Sequence, residues 1–581
     1  MAGFDWIVVC VFLISVVAVG LWFNRRASGS IEDYFISGRQ LPWWLAGTSI
    51  LAASFSSDTP LHVTRVIREG GLANTWFYWN GIVSGLVIAF FFAKLWRRAG
   101  IVTDAEFIEL RYSGKPAAFL RGTTALFRSV VLELITLSWV ILGMTKIIHT
   151  IMDLPRVVEL PFLGAVNADV VVVTVLVGIA LGYTTASGLW GVVFADFVEF
   201  IVAMGGAIVL AVVAFHKVGG IEGLREGLAK SSLGEGALGF LPTSASTAQV
   251  PTVALVVYFG VQWWANTEVD GSGKRAQRFL ACKNEGHALA SGVWNMAVQW
   301  LLRSWPWYIA AIASVVIYPE LSDHETAYPR LIADLMPIGL KGLMVASFLA
   351  AFLSTVDSQL NLSASYLLND IYKRFLAKNR SNKHYVRASK ATVIMVAVIA
   401  TSLALVLPSL LDAFRFKMEL MAGLGLIYVL RWCWWRVTAW TELIALSSGV
   451  ITALVLHVVS PFGSGLEAWA WSMITIVSVS GALAITSVSF ISPEPMEKLR
   501  AFYSQVNPPA LFWGPVAAST VVDASRSMGW NTVGQYFLSV IAVFAGMFSI
   551  GKIILGEPLL GFGLAILAII TGGIMLRWTL R

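Results

Sequence analysis

Apolar stretches long enough to cross a bilayer recur along the whole chain, and no other feature constrains its fold as tightly. About fifteen can be marked, each sufficient for ~30 Å of hydrocarbon. They lie near residues 4–23, 42–65, 73–95, 116–148, 168–185, 190–216, 251–267, 286–317, 338–368, 388–408, 412–430, 440–458, 468–491, 533–551 and 556–578. Hydrocarbon offers no partner to backbone N–H and C=O groups, so such segments must be helical. The expectation is an all-α polytopic membrane protein. Hydrophobic residues fill 57% of the 581 positions and charged residues only 13%, which excludes a soluble multidomain enzyme.

The net charge of +7 does not signal nucleic-acid binding, because the basic residues fall in short loops between spans. The loop 370–390 alone carries Lys373, Arg374, Lys378, Arg380, Lys383, Arg387 and Lys390. The first span has Asp5 before it and Arg25-Arg26 after it, the reverse of a cleaved signal. These charges predict an external N-terminus, a cytoplasmic C-terminus and residence in the cell membrane, with the lipid bilayer as constant partner. Cys10, Cys282 and Cys433 are too scattered for a disulfide framework or a metal site. No GxxxxGK[ST] loop, HExxH pair or nucleophile–base pair at a span end occurs, so neither ATP-driven pumping nor an enzyme is expected, and no cofactor is called for.

Two spans are interrupted where a simple anchor would stay apolar. The second contains Leu51-Ala-Ala-Ser-Phe-Ser-Ser-Asp58-Thr59-Pro60, and the seventh ends Trp263-Trp-Ala-Asn266-Thr-Glu268-Val-Asp270-Gly-Ser-Gly273. Hydroxyls, carboxylates, Gly and Pro prevent a continuous helix at either place. The breaks stand five spans apart, an odd spacing that gives two halves opposite orientation. That is the sequence pattern of an inverted-repeat transporter with a midplane site. The chain divides on this basis into 1–41 (leading helix and loop), 42–217 and 251–431 (five-helix repeats), 440–491 (additional helices), 492–531 (a cytoplasmic connection) and 532–581 (a C-terminal helix pair).

A third polar feature lies within the ninth span, where Ser354, Asp357 and Ser358 share one helical face beside Thr355. A carboxylate at bilayer depth faces a cavity or a partner, and hydroxyl and carboxylate oxygens suit a hard cation. The alternative is a polar seam between helices. Asp196 in the sixth span presents the same choice, with Arg128 as its structural partner if it binds no ion.

Five stretches together resemble the sodium/solute symporter family, which includes bacterial proline, galactose and sialic acid transporters. They are Gly38-Arg-Gln-Leu-Pro-Trp-Trp44, Gly100 to Tyr112, Tyr183-Thr-Thr-Ala-Ser-Gly-Leu189 leading to Asp196, Gln277-Arg278-Phe-Leu-Ala-Cys-Lys283, and Ser354-Thr355 ahead of Asn369-Asp370-Ile-Tyr-Lys373. The resemblance runs through the first thirteen spans. It implies a LeuT-type inverted repeat of five plus five helices, with one leading helix and about four extra C-terminal ones. It also implies coupling of inward Na⁺ flow to solute uptake. Carried over by motif, the principal Na⁺ ligands would be carbonyls of Ala52, Phe55 and Ala351 with the hydroxyls of Ser354 and Thr355. A second cation site would draw on Asp196, Ser354, Asp357 and Ser358.

The positions that bind sugar in the family hold Thr59, Tyr78, Gly81, Gln299 and Phe414 here, so a hexose is not supported. The chain offers Asp58, Thr59, Tyr78, Asn80, Trp263, Asn266, Glu268, Gln299 and Arg303 for a small polar solute: a sugar, polyol, amino acid or carboxylate. Arg303, deep in an apolar span, requires an acid, carbonyls or an anionic ligand; Asp58 and Glu268 are its candidate ion partners. An H⁺-coupled carrier using Asp196 and Asp357, and a transporter-like solute sensor, stay open as alternatives. A monomer is compatible with everything read so far. Two further expectations concern the inner face: Arg431-Trp-Cys-Trp-Trp-Arg436 as an interfacial anchor, and residues 493–503 as an amphipathic helix on the membrane surface.

Overall fold

A computed structural model describes residues 1–27, 37–54, 56–101, 104–155, 157–160, 164–183, 189–241, 250–521 and 528–579. Within these, side chains at 16–27, 160, 179–183, 189–192, 195, 357, 361, 369, 382–383 and 386 are not described. Ten of the described helices are long and apolar enough to cross a membrane, and Gly3–Ser15, Trp43–Ala53 and Ala168–Gly178 are shorter apolar helices. The protein is a multi-pass, helical membrane protein. One small departure from an all-α chain is a hairpin of Val157–Leu160 against Gly164–Asn167.

The helices run α1 (Gly3–Ala27), α2 (Trp43–Ala53), α3 (Thr59–Gly70), α4 (Leu72–Ala99), α5 (Gly114–Met152), α6 (Ala168–Tyr183), α7 (Leu189–Lys217) and a short α8 (Gly220–Ala229). They continue as α9 (Thr252–Gly260), α10 (Lys274–Ala281), α11 (Glu285–Ile317), α12 (Ala327–Leu335), α13 (Leu340–Leu376), α14 (Asn382–Ala404), α15 (Leu410–Ala422) and α16 (Gly425–Cys433). The chain ends with α17 (Ala439–Val459), α18 (Leu466–Phe490), α19 (Met496–Val506), α20 (Trp530–Ile554) and α21 (Pro558–Thr579).

Both interruptions read from the sequence are real breaks. Helix α2 stops at Ala53, where the Ser54 hydroxyl folds back onto the Leu51 carbonyl, and α3 restarts at Thr59 with Pro60 in its first turn. Proline suits that position because its missing N–H would have no helical partner there. Between α9 and α10, the Asn266 and Asp270 carboxamide and carboxylate oxygens accept the N–H groups of Glu268 and Ser272, turns that replace the helical ladder. Gly271 and Gly273 then take positive φ, 81° and 76°, before α10 begins.

Helix α1 packs against α7 and α13, and its Asp5 Oδ1 accepts N–H groups of Gly339 and Gly342 at the start of α13. Gly342 lies against the Asp5 backbone, where a Cβ would stand 2.6 Å from the Asp5 Cα. A carboxylate on a helix N-terminus satisfies free donors and the helix dipole together. The C-terminal pair is also anchored. Helix α20 lays Phe544 and Phe548 against Trp76 of α4, and its Met547 carbonyl accepts the Trp305 indole N–H of α11 at 2.9 Å.

Two inner-face expectations are corrected. The apolar face of α19 does not rest on lipid; Leu499, Phe502, Tyr503 and Val506 are buried against Phe107, Trp432 and Trp513. Nor does the start of the 431–436 run face outward as an anchor would. Arg431 and Trp432 are buried, and both bond Asp270 in the second break.

Candidate functional site

Asp196 stands where three elements meet. Its Oδ2 accepts the Ser49 hydroxyl of α2 at 2.7 Å, Arg278 Nη2 of α10 lies 3.9 Å away, and Ser354 of α13 is a near neighbour of the same carboxylate. Arg278 Nε reaches the same Ser49 oxygen at 3.3 Å. Asp196 is buried, as is Glu199 one turn further along α7. The partner foreseen for Asp196 was Arg128; that is wrong. Arg128 bonds Asp104 at 2.8 Å, and Asp104 Oδ2 also accepts the Gly273 N–H at the start of α10.

The residues expected to hold the principal ion sit around this junction. Ala52 is one turn beyond Ser49, Ala351 is one turn before Ser354, and Thr355 is buried beside it. Ala52 belongs to the last turn of α2, where carbonyls lack helical donors. Phe55 lies outside the described residues, and so does the Asp357 side chain; Ser358 is half-buried on the same helix. The motif residues 184–188 also fall outside.

A second polar group surrounds the first break. Asp58 is buried; its Oδ2 lies 3.6 Å from His62 Nε2, and His62 Nδ1 lies 2.6 Å from the Tyr78 hydroxyl. The His62 ring stacks on Phe414 of α15 with centroids 5.6 Å apart. Arg303 ends a π-helical stretch, Val298–Arg303, just ahead of Pro306, whose missing N–H removes the ladder bond to Leu302. Its Nη1 donates to the Leu51 carbonyl (3.2 Å) and the Ser54 hydroxyl (3.1 Å), and its guanidinium lies 5.0 Å over Trp307. Neither Asp58 nor Glu268 pairs with it: among the described residues no carboxylate comes within 4.0 Å, so carbonyl and hydroxyl oxygens replace the expected acid.

Other candidates divide. Asn80 is spent locally, its amide donating to the Trp76 and Phe77 carbonyls, and the Thr59 hydroxyl accepts the Ser56 N–H. Trp263, Asn266 and Gln299 are half-buried and Glu268 is exposed, so the second break borders an accessible space. That space has a charged lining the sequence reading passed over. Glu133 of α5, Lys274 of α10, Glu268 and Lys417 of α15 are within electrostatic reach of one another, without an ion pair inside 4 Å. Lys417 Nζ donates to Thr136 Oγ1 at 2.8 Å and lies 5.0 Å from the Trp139 ring. Charges within spans 116–148 and 412–430 were visible by the same rule that singled out Asp196. His62, four residues after Asp58, could have been found as its helical neighbour.

Charged locks flank these groups. On one side Glu325 accepts the Leu410 and Leu411 N–H groups that open α15, while Arg65 of α3 and Lys146 of α5 pair with it at 3.3 and 2.6 Å. On the other side Arg431 pairs with Asp270 and with Glu442, and Arg111 donates to the Arg431, Trp434, Trp435 and Val437 carbonyls. In the connection before α5, burial works against ionisation of Glu109, but Arg374 and Arg121 outweigh it and hold its carboxyl below its ordinary value. The motif 100–112 thus acts through Asp104, Arg111 and Tyr112, which hold the second break and the end of α16.

A profile of the "Sodium:solute symporter family" matches residues 34–449. The sodium/glucose cotransporter of Vibrio parahaemolyticus is 24% identical over 477 residues, covering 78% of this chain and 84% of that protein. Sodium/glucose cotransporter 4 of Danio rerio is 27% identical over 434 residues, covering 68% of this chain and 62% of the relative. The rat sodium/glucose cotransporter 2 gives 26% over 438 residues, again 62% of its length. The chain therefore spans about three-fifths of the animal relatives it matches. Among solved structures, a substrate-bound, outward-open Na⁺-coupled sialic acid symporter superposes with a TM-score of 0.65 at 18% identity, covering 85% of this chain and 99% of that one. At that identity the likeness establishes the shared fold. With more than half the chain matched by the family profile, the protein belongs to the sodium:solute symporter family, a family of membrane transporters and not of enzymes.

Proposed function

We propose that sodium-driven solute transport in this chain is coupled at the junction of α2, α7 and α13. The observation that carries the reading is buried Asp196, which accepts the Ser49 hydroxyl of the first broken helix and has Ser354 of α13 as a near neighbour. The principal Na⁺ would take carbonyls of Ala52, Phe55 and Ala351 with the Ser354 and Thr355 hydroxyls, a hard-oxygen shell suited to a small cation. Asp196, Ser354, Asp357 and Ser358 would form the second site. A monovalent ion seated there holds α2 against α13; each 100 mV of membrane potential adds about 2.3 kcal/mol per charge. Coupling is linkage, so the solute must tighten Na⁺ binding by the factor by which Na⁺ tightens the solute's.

In this reading α2 to α7 (42–217) and α9 to α16 (251–431) are the two inverted five-helix repeats. Helix α1 leads them, and α17, α18, α20 and α21 follow, for fifteen crossings from an external N-terminus to a cytoplasmic C-terminus. Solute binds between the breaks near Asp58, Tyr78 and Arg303, with Trp263, Asn266, Glu268 and Gln299 on the other side, and Thr59 and Asn80 shaping the first break. The Glu325 network closes one face while the Asp270–Arg431 network holds the other.

Proton coupling keeps one supporting observation: Glu199 lies buried three residues from Asp196, and like charges so close tend to share a proton. Uptake by proteoliposomes separates the readings. The double substitution Ser354→Ala, Thr355→Ala is expected to abolish Na⁺-driven uptake while the protein stays monodisperse. Undiminished Na⁺-driven uptake would reject the ion site, and uptake driven by a pH gradient without Na⁺ would favour the proton.

A further inference from the structure

Four polar atoms around the first break are buried without a partner among the described residues: Ser56 Oγ, Ser57 Oγ, Asp58 Oδ1 and Arg303 Nε. Their residues are only 9%, 0%, 4% and 5% exposed. Buried polar groups are nearly always satisfied, so four such atoms around one segment ask for an occupant. The two charged members lie on opposite sides of the break. Arg303 holds the end of α2 through Leu51 and Ser54, whereas Asp58 opens α3. Asp58 is four residue steps beyond Ser54, a chain length of at most about 14 Å. The remaining Asp58 oxygen lies 3.6 Å from His62 Nε2, too far for a good hydrogen bond.

We propose that the solute seat is built for a small zwitterion, whose ammonium meets Asp58 and whose carboxylate meets Arg303. This rests on the transport reading above and names the solute class for that site. The argument is charge complementarity in a poorly solvated place. A neutral sugar could hydrogen-bond both groups but would leave each charge without a counter-charge. A simple carboxylate would neutralise Arg303 and strand Asp58; a simple amine would do the reverse. A molecule carrying both charges neutralises both and leaves the net charge of the seat unchanged. The Ser56 and Ser57 hydroxyls can add hydrogen bonds, and Phe414 and Trp307 supply apolar walls.

Thermal unfolding of the purified full-length protein tests this, in Na⁺ and in K⁺ buffers. The probes are the neutral α-amino acids and 4-aminobutyrate, compared with amines lacking the carboxylate, acids lacking the amine, D-glucose and myo-inositol. At least one zwitterion is expected to raise Tm in Na⁺, with both of its single-charge analogues at least tenfold weaker. Asp58→Asn should weaken that zwitterion at least tenfold; Arg303→Lys, which keeps the charge, should weaken it less than Arg303→Gln does. A Na⁺-dependent shift with glucose or inositol and none with any zwitterion would overturn the seat and leave sodium coupling standing. No shift with any probe would also overturn it. A zwitterion shift of equal size in K⁺ would support the seat and remove the coupling reading.

Discussion

Arg431 of α16 places its Nη2 2.5 Å from Asp270 Oδ2, joining α16 to the break between α9 and α10. The same carboxylate oxygen accepts the Trp432 indole N–H at 2.8 Å, and Arg431 Nη1 reaches Glu442 at 3.2 Å. The two carboxylates and the guanidinium are almost wholly buried, so losing either partner leaves a charge stranded. Such losses typically amount to ~3–5 kcal/mol. Asp270→Asn is accordingly expected to lower Tm by several degrees and to abolish transport, whereas Arg436→Gln, whose residue bonds only the Val488 carbonyl, should do neither. Unfolding curves and uptake of both variants check this; equal behaviour would show that Arg431 holds no special position.

Glu325 forms the corresponding lock on the opposite face. It is wholly buried, yet it touches two cations and the amino end of α15. Negative charge at a helix N-terminus is favourable, and here it also fixes α15 beside α3 and α5. Removing it in Glu325→Ala should loosen that face and admit solvent to the first break. The measurement is labelling of Tyr78→Cys by a membrane-impermeant thiol reagent in a Cys10→Ser background. Labelling is expected to rise several-fold in the Glu325 variant; unchanged labelling would show that the network does not close the face.

Asp196 poses a different question, because an arginine competes for it. Arg278 Nη2 stands 3.9 Å off and shares Ser49 with it, so the pair is loose enough for an ion to enter. Asp196→Asn should weaken Na⁺-dependent stabilisation and also leave Arg278 uncompensated, a loss of ~1–3 kcal/mol. Arg278→Gln made in the same chain should recover part of that stability without recovering the Na⁺ response. A double-mutant cycle read by Tm and by Na⁺ titration separates the two effects. Strict additivity would mean the pair does not interact.

These partners mark the limit of what the residues alone could give. The breaks were legible because Pro60, Gly271 and Gly273 act locally, within a few bonds of the backbone they interrupt. The spans were legible because hydrocarbon tolerates almost nothing but helix. Partner choice is different: Asp196 meets Arg278 and not Arg128 because α7 and α10 both pack against α2, which no local pattern encodes. Arg431-Trp432 read as a surface anchor for the same reason. An aromatic–basic run at a helix end looks identical whether lipid or Asp270 faces it, and the apolar stripe of α19 does not say that Phe107 and Trp513 cover it. The positions expected for the principal ion were named through family motifs, with a hydroxyl pair on α13 as their physical counterpart.

Close backbone approach gives a last prediction, since each break rests on a glycine of another helix. A Cβ at Gly143 of α5 would stand 2.9 Å from the Asp58 Cβ and 3.0 Å from its Cα. At Gly425, the first residue of α16, it would stand 2.0 Å from the Trp264 carbonyl oxygen and 2.7 Å from the Ala265 Cα. Neither glycine takes positive φ, so alanine strains neither backbone conformation; the obstacle is the opposing chain. Overpacking of this kind typically amounts to ~1–3 kcal/mol. Gly425→Ala meets backbone at the shorter distance and should be the more damaging, displacing the second break and lowering both Tm and transport. Gly143→Ala also meets main chain, so Asp58 has to move aside. It should therefore lower Tm less than Gly425→Ala does while reducing solute affinity, seen as a raised KM in uptake with maximal rate largely kept. An unaltered KM in a well-folded Gly143→Ala protein would mean that Asp58 does not touch the solute.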